Sequence, residues 1–164
     1  MLKNNQVVRF MVGRESFGVE IGKVQEIVTV PEITRVPDTP DFIEGIINLR
    51  GKIVSVVDLR KRLKFDGAER NKKNRILVTE LDGKVAGLIV DEVSEVFKLD
   101  PNSIEPPPEM VSAAGVEYIT GVAKVAENLI ILLDLTRVLN VEEMKKITNN
   151  VDHTLDHSPE AKAA

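Results

Sequence analysis

Few residues in this chain have the types and spacing that catalysis requires. The 164 residues include no cysteine, which excludes a disulfide, a thiolate nucleophile and a cysteine-ligated metal. The two histidines, His153 and His157, have the spacing of a metal-binding pair on one helix face. They lie in a polar C-terminal segment with no third ligand nearby, and the serines have no other histidine to act as a base. We therefore predict neither a metal site nor a catalytic serine.

The remaining signatures of enzymes are also missing. The sequence has neither of the common glycine-rich loops that bind phosphate groups. Its carboxylates are dispersed, and Asp58 and Asp134 each precede a short apolar pattern that an aspartate would cap as a helix N-terminus. The sequence predicts a protein that is not an enzyme and needs no cofactor.

A locally basic region leaves one binding function open. Its members are Arg60, Lys61, Arg62, Lys64, Arg70, Lys72, Lys73 and Arg75. A solvated face of a short helix and loop explains such a cluster, and Phe65 is the aromatic residue that interrupts it. Because base stacking needs exposed rings, a small β-barrel that binds single-stranded nucleic acid is the second hypothesis.

Composition and charge describe an ordinary globular protein. Apolar residues make up 43% of the chain and charged residues 29%, and 22 basic against 26 acidic side chains give a net charge of −4. The apolar runs are too short to span a bilayer, and the N-terminus has no apolar signal region, so we expect a cytoplasmic protein. Valine and isoleucine are abundant, whereas there is no tryptophan and one tyrosine, which favours a β-rich fold.

Strand and turn signals predict hairpins that recur along the chain. The clearest hairpins pair Gly45–Leu49 with Ile53–Val57, Arg75–Leu81 with Lys84–Val90, and Tyr118–Ala126 with Leu129–Leu133. We expect Asp100–Glu109 to be a loop, because the prolines at 106–108 cannot enter a β-ladder. We also expect a short basic helix over Leu59–Lys64.

The hairpins belong to an internal repeat. Gly18, Ile21, Val24, Glu26 and Ile27 correspond to Gly87, Val90, Val93, Glu95 and Val96, each pair separated by 69 residues. Gly45, Asp58, Leu59 and Leu63 correspond to Gly121, Asp134, Leu135 and Leu139, each pair separated by 76. Two repeats in the same order predict a mainly β fold of two similar small barrels that pack together.

The segment GIINLRGKIVSVVDLRKRL, from Gly45 to Leu63, resembles the signature hairpin of the CheW family of bacterial chemotaxis adaptors. The resemblance extends to FGVEIGKVQEI at 17–27, VAGLIVDEVSEV at 85–96 and YITGVAKVAENLIILLDLTRVL at 118–139. Ser55 stands where the family usually has proline, which puts the local edge geometry of that strand in question. The resemblance implies two five-stranded SH3-like barrels with an apolar seam between them.

The resemblance also implies a function. Such a protein is a non-catalytic adaptor that couples the cytoplasmic tip of methyl-accepting chemotaxis receptors to the regulatory domain of the histidine kinase CheA. The same fold occurs in CheA itself, in CheV and in paralogous adaptors, and the absence of kinase or receiver segments favours a stand-alone adaptor. We expect a monomer in isolation, recruited to membrane receptor clusters without inserting into the membrane, that binds no nucleic acid.

By resemblance, the receptor site is an apolar groove between the barrels, and the kinase site is at the end of the first barrel. The receptor-binding residues predicted in this way are Val24, Glu26, Ile27, Arg50, Gly87, Val93 and Val96. The kinase-binding residues are Gly45, Asn48 and Gly51, of which Gly51 also suits a turn with positive φ. The four valine and isoleucine side chains of the receptor set could equally be core residues. We place the CheW-like domain at residues 1–150 and a flexible tail at 151–164.

Overall fold

A computed structural model describes residues 5–66, 69–81, 83–113 and 117–139 of the chain. The histidines, the proposed domain boundary and the tail therefore lie outside the described residues. The first half contains β1 (Gln6–Val12), β2 (Glu15–Glu20), β3 (Val24–Thr29), β4 (Ile43–Leu49), β5 (Lys52–Asp58) and α1 (Leu59–Arg62). The second half contains β6 (Arg75–Leu81), β7 (Lys84–Val90), β8 (Glu92–Lys98), β9 (Ile104–Glu105), α2 (Glu109–Ala113), β10 (Ile119–Val125), β11 (Asn128–Leu133) and α3 (Leu135–Leu139).

The two halves exchange strands to build two sheets. One sheet has the order β8-β1-β2-β11-β10-β9, so the first hairpin of the chain is completed by strands of the second half. The other has the order β3-β6-β7-β5-β4, so the hairpin β6–β7 is completed by strands of the first half. The mainly β, two-barrel fold is confirmed, and neither barrel consists of one continuous stretch of chain.

The repeat explains how the exchange is arranged. The hairpins β1–β2 and β6–β7 contain residues 69 positions apart, and β4–β5 and β10–β11 contain residues 76 positions apart. In each sheet these two kinds of hairpin meet through a parallel pairing, with Gly18 opposite Leu132 in one and Gly87 opposite Val56 in the other. Both glycines are buried where the strands converge.

Three apolar clusters hold this arrangement together. Val54, Ile76 and Ile89 belong to the cluster of the five-stranded barrel, and Ile130 and Leu132 to that of the six-stranded barrel. The third cluster, which we call the seam, unites residues of both barrels. Its members include Val8, Phe10, Val19, Leu77, Leu88, Val90 and Leu133, all buried. The seam makes the two barrels one hydrophobic unit.

Two local predictions are wrong. Ile104 and Glu105, expected in a loop, form β9 and pair with Ala123 and Val122 of β10. They can do so because they precede the prolines and keep their backbone N–H groups. β5 is not an edge strand at Ser55, because it is flanked by β4 and β7.

Both predicted helix caps are confirmed. Asp58 accepts hydrogen bonds from the backbone N–H groups of Arg60 at 2.9 Å and Lys61 at 3.4 Å. Asp134 accepts one from Thr136 at 3.0 Å. The helix after Asp58 ends at Arg62, two residues earlier than predicted, because Lys64 turns the chain with a φ of 65°.

A half-buried ionic network anchors α1 and the following loop to the first barrel. Glu44 on β4 contacts Lys61 at 2.9 Å and Arg70 at 3.1 Å, and Arg70 also contacts Asp58 at 3.0 Å. Burial by itself would raise the pKa of Glu44, but the hydrogen bond from Lys61 and the charge of Arg70 outweigh burial and lower it. The hydrogen bond to Glu44 in turn raises the pKa of Lys61.

Replacing Glu44 by glutamine should therefore destabilise the protein at neutral pH. The substitution leaves Lys61 without its ionic partner and reduces Arg70 to one carboxylate. We expect the free energy of unfolding to fall by about 1–2 kcal/mol at pH 7, measured by urea denaturation. The matched control is Glu92→Gln, which removes the same charge from an exposed position.

The effect should also depend on pH. Because the folded-state pKa of Glu44 lies below its usual value of 4.5, the carboxylate stabilises the fold fully above that value. This stabilisation is lost as the pH falls through the lower, folded-state pKa. The difference between the wild type and Glu44→Gln should thus shrink between about pH 5 and about pH 3. A difference that stays constant over this interval would contradict an ionic role for Glu44.

Candidate functional site

The turn between β4 and β5 presents the predicted Arg50 to solvent. Arg50 and Gly51 have φ values of 51° and 85°, as a two-residue hairpin turn with both central residues left-handed requires. The side-chain oxygen of Asn48 accepts a hydrogen bond from the N–H of Gly51 at 2.8 Å. Asn48 and Gly51 are exposed, and their first role is to shape this turn.

The structure brings together two members of the predicted receptor set. One guanidinium nitrogen of Arg50 lies 2.7 Å from both carboxylate oxygens of Glu26, which is on β3. Because β3 and β4 are the two edge strands of the five-stranded sheet, this ion pair links its open edges. The Arg50 side chain is 70% exposed, so most of its donor groups remain available to a partner.

The second barrel repeats this feature in another form. Glu95, the repeat counterpart of Glu26, lies 3.4 Å from Arg9 on the neighbouring strand β1. Sequence reasoning missed this pair, although applying the offset of 69 residues to Glu26 identifies Glu95. Each edge strand, β3 and β8, thus carries a glutamate that an arginine holds in place.

The predicted apolar residues divide into exposed and packed pairs. Ile27 and Val96 are exposed at 38% and 46%. They lie opposite Leu77 and Val8, two buried seam residues, in the strand registers. Cross-strand partners project from the same face of a sheet, so each exposed side chain flanks the seam on its own barrel.

The other apolar pair, Val24 and Val93, is half-buried and packs against the seam cluster. These two side chains therefore belong partly to the core. Their exposed edges continue the apolar surface from the seam towards Ile27 and Val96.

Gly87 and Gly45 lie inside the fold. Both are buried, so neither presents a surface to a partner. A Cβ atom on Gly87 would lie 2.8 Å from a methyl group of Ile76. Gly45 has a φ of 145°, and a Cβ there would overlap the carbonyl oxygen of Thr34. Their side-chain-free backbones allow strands to approach closely, so any influence on binding acts through the shape of the barrel.

The basic region is largely neutralised within the molecule. Arg60 lies 3.3 Å from Asp91, while Lys61 and Arg70 contact Glu44. The guanidinium of Arg62 lies 5.3 Å from the centre of the Phe42 ring. Arg75 donates hydrogen bonds to the backbone carbonyls of residues 72 and 74. These contacts replace the continuous cationic surface that a polynucleotide would need.

Three cavities, of about 610, 590 and 430 Å³, open on the described surface. None of the predicted receptor or kinase residues lines them. Within the described residues, no group of three or more histidine, cysteine, aspartate or glutamate side chains could hold a metal ion. No described helix is both long and apolar enough to cross a membrane.

Exposed apolar residues at a second repeat-related pair of positions were missed by sequence reasoning. Ile53 on β5 and Leu129 on β11 are 55% and 60% exposed, and they are 76 residues apart. Applying the repeat offset to the strand after each hairpin turn would have paired them.

Comparisons with known proteins agree with this architecture. Residues 6–143 match the family model of the CheW-like domain. The chain is 39% identical to the chemotaxis protein CheW of Klebsiella aerogenes over 85% of this chain and 84% of that protein. It is 30% identical to CheW of Treponema pallidum over 88% and 87%. The crystal structure of the scaffolding protein CheW from Thermoanaerobacter tengcongensis superposes with a TM-score of 0.77 and 42% identity, covering 86% of this chain and 96% of that one.

The geometry at Gly45 generates a test of its role. Because a Cβ would collide with Thr34, Gly45→Ala should lower the free energy of unfolding by about 2–4 kcal/mol in urea denaturation. Gly51→Ala is the control, since a Cβ there meets nothing within 4 Å. Its positive φ alone should cost about 1–2 kcal/mol. Equal losses in the two variants would show that contact with Thr34 does not constrain position 45.

Proposed function

The chain belongs to the CheW-like family and is a chemotaxis adaptor, and we propose that it couples methyl-accepting chemotaxis receptors to the histidine kinase CheA. The observation that supports this proposal is the pair of exposed apolar side chains, Ile27 and Val96, that flank the seam at repeat-related positions. A scaffold must hold separate contact surfaces in a fixed relation, and the shared seam provides that rigidity.

The proposed receptor surface consists of Ile27 and Val96, with Val24 and Val93 at its base. A receptor tip is a helical hairpin, and a helix binds by placing apolar side chains of one face against an apolar groove. The Glu26–Arg50 ion pair borders this surface and offers polar contacts at its rim. A few anchoring side chains dominate the energy of such an interface, so single substitutions should have large effects.

The proposed kinase surface is the exposed turn that contains Asn48 and Gly51. It lies at the end of the first barrel, where Gly45 shapes β4 from inside. We further propose that the protein acts in the cytoplasm as a monomer, without catalytic activity or a cofactor, and reaches receptor clusters through these contacts. The intramolecular ion pairs of the basic region disfavour single-stranded nucleic acid as a partner.

Calorimetric titration tests the coupling role directly. The purified protein is titrated with a fragment of the CheA regulatory domain, and separately with a fragment of the receptor tip. We expect saturable binding to each, and binding of one partner should leave the site of the other accessible. Binding to neither cognate fragment would overturn the proposed partners while leaving the family assignment and the fold intact.

Arg50→Ala should weaken receptor binding without unfolding the protein. An exposed ion pair contributes about 0–1 kcal/mol to stability. The turn also tolerates alanine, since Ala126, the repeat counterpart of Arg50, has a φ of 56°. We expect the affinity for the receptor fragment to fall about tenfold, as for an arginine anchor at an interface. Arg14→Ala, which changes an exposed arginine in another hairpin turn, is the control; an equal loss there would refute a specific role.

Val96→Glu should abolish receptor binding and leave CheA binding unchanged. A carboxylate at this position would have to be desolvated against an apolar receptor helix, which costs more than about 2 kcal/mol. Ile27→Glu should have the same effect on the other barrel. Leu129→Glu is the matched control, because it places a carboxylate at an exposed apolar position away from the seam.

Circular dichroism melting separates binding from folding in these variants. If Val96→Glu and Ile27→Glu both unfold the protein, the two residues are core residues and the receptor surface is wrongly placed. If both remain folded and bind the receptor fragment like the wild type, the surface is equally wrong.

A further inference from the structure

The largest of the three cavities is a cleft on the first barrel, beside the ionic network of Glu44. It has a volume of about 610 Å³ and lies between the segment that follows β3 and the loop that follows α1. Three cationic side chains, Arg35, Arg70 and Lys72, contribute to its lining. Glu44 is the acidic residue among the lining residues.

The positive charge of this cleft is not compensated within the described residues. Arg35 and Lys72 are exposed, and their side chains form no hydrogen bond or ion pair with the described part of the chain. Both oxygens of Glu44 are already occupied, one by Lys61 and the other by Arg70. A cationic cleft thus stands out on a protein whose net charge is −4.

Arg70 is held in position to receive an anionic ligand. One of its terminal nitrogens contacts both Asp58, at 3.0 Å, and Glu44, at 3.1 Å. These two bonds fix the side chain, so little further rotamer entropy is lost when a ligand binds. A guanidinium carries five N–H donors, and the nitrogens that these contacts leave unused can reach a carboxylate of a ligand.

One wall of the cleft is apolar. Val30 and Ile33 are half-buried and pack against the cluster inside the five-stranded barrel. A ligand that matches the cleft should therefore combine negative charge with apolar side chains. No aromatic side chain is found among the described lining residues, which leaves nucleic-acid bases without a stacking surface.

We propose that this cleft binds an acidic segment of a partner protein, in which carboxylates alternate with aliphatic side chains. The carboxylates contact Arg35, Arg70 and Lys72, and the aliphatic side chains cover Val30 and Ile33. The inference does not rest on the proposed receptor and kinase surfaces, because it uses none of their residues. It adds an electrostatic docking site to an adaptor whose other proposed surfaces are apolar or turn-based.

Fluorescence anisotropy tests the proposal with the full-length protein. The probe is a labelled short peptide that alternates glutamate and leucine, and the comparison peptide replaces every glutamate by glutamine. We expect the acidic peptide to bind at least about tenfold more tightly, because hydrogen bonds to charged groups are the stronger ones. The difference should shrink as the salt concentration rises from about 0.05 M to about 0.5 M.

The double variant Arg35→Ala, Lys72→Ala should lose this preference. Neither residue holds another element in place, so the variant should melt at the wild-type temperature. The matched control, Lys84→Ala with Lys98→Ala, removes the same charge from exposed positions that do not line the cleft, and should bind like the wild type. Equal losses in both double variants would show only a general charge effect and overturn the proposed cleft.

Two competing ligands complete the test. If single-stranded DNA displaces the acidic peptide at lower concentration than unlabelled peptide does, the cleft binds polyphosphate and the proposal is wrong. If inorganic phosphate at matched ionic strength displaces the peptide as well as the unlabelled peptide does, the cleft is a simple anion site and the proposal is also wrong. These results leave receptor and CheA binding untouched, so this proposal and the coupling role fail independently.

Discussion

The exchange of hairpins between the two halves of the chain is the constraint on which the rest of the structure depends. Neither half can complete a barrel alone, because β1–β2 needs β8 and β11, and β6–β7 needs β3 and β5. The seam then buries residues of both barrels in one cluster. Since strand pairing and burial both cross between the halves, the two barrels should fold and unfold together.

This constraint also fixes where functional side chains are placed. β3 and β8 are the edge strands of their sheets and repeat counterparts of one another, so both carry an exposed apolar residue beside the seam. The ion pairs Glu26–Arg50 and Arg9–Glu95 hold these edge strands. An adaptor performs no reaction, so a fixed geometry of its contact surfaces is the property that its fold must supply. The duplicated barrel supplies it by setting two equivalent strands about one core.

The repeat is close in backbone and less close in chemistry. Gly45 and Gly121 both lie at register shifts where a neighbouring chain segment comes close, near Thr34 and Glu105 respectively. Asp58 and Asp134 cap equivalent helices, but Asp58 is buried and bound by Arg70, whereas the side chain of Asp134 is 34% exposed. The first barrel has thereby acquired an ionic network and the cationic cleft beside it, and the two ends of the molecule offer different surfaces to partners.

The sequence by itself determined the features that depend on near neighbours. Alternating apolar residues and turn-forming residues defined the hairpins, the aspartates Asp58 and Asp134 defined the helix starts, and the spacing of Gly51 defined the turn. The repeat offsets and the CheW-like segments fixed the fold class and the family. The tertiary structure decided which residues are accessible. It placed Gly45 and Gly87 inside the barrels, paired Arg50 with Glu26, neutralised much of the basic region and added β9 to a sheet. Each of these outcomes depends on contacts between strands that are far apart in the chain, and their register follows from packing the exchanged hairpins about one seam.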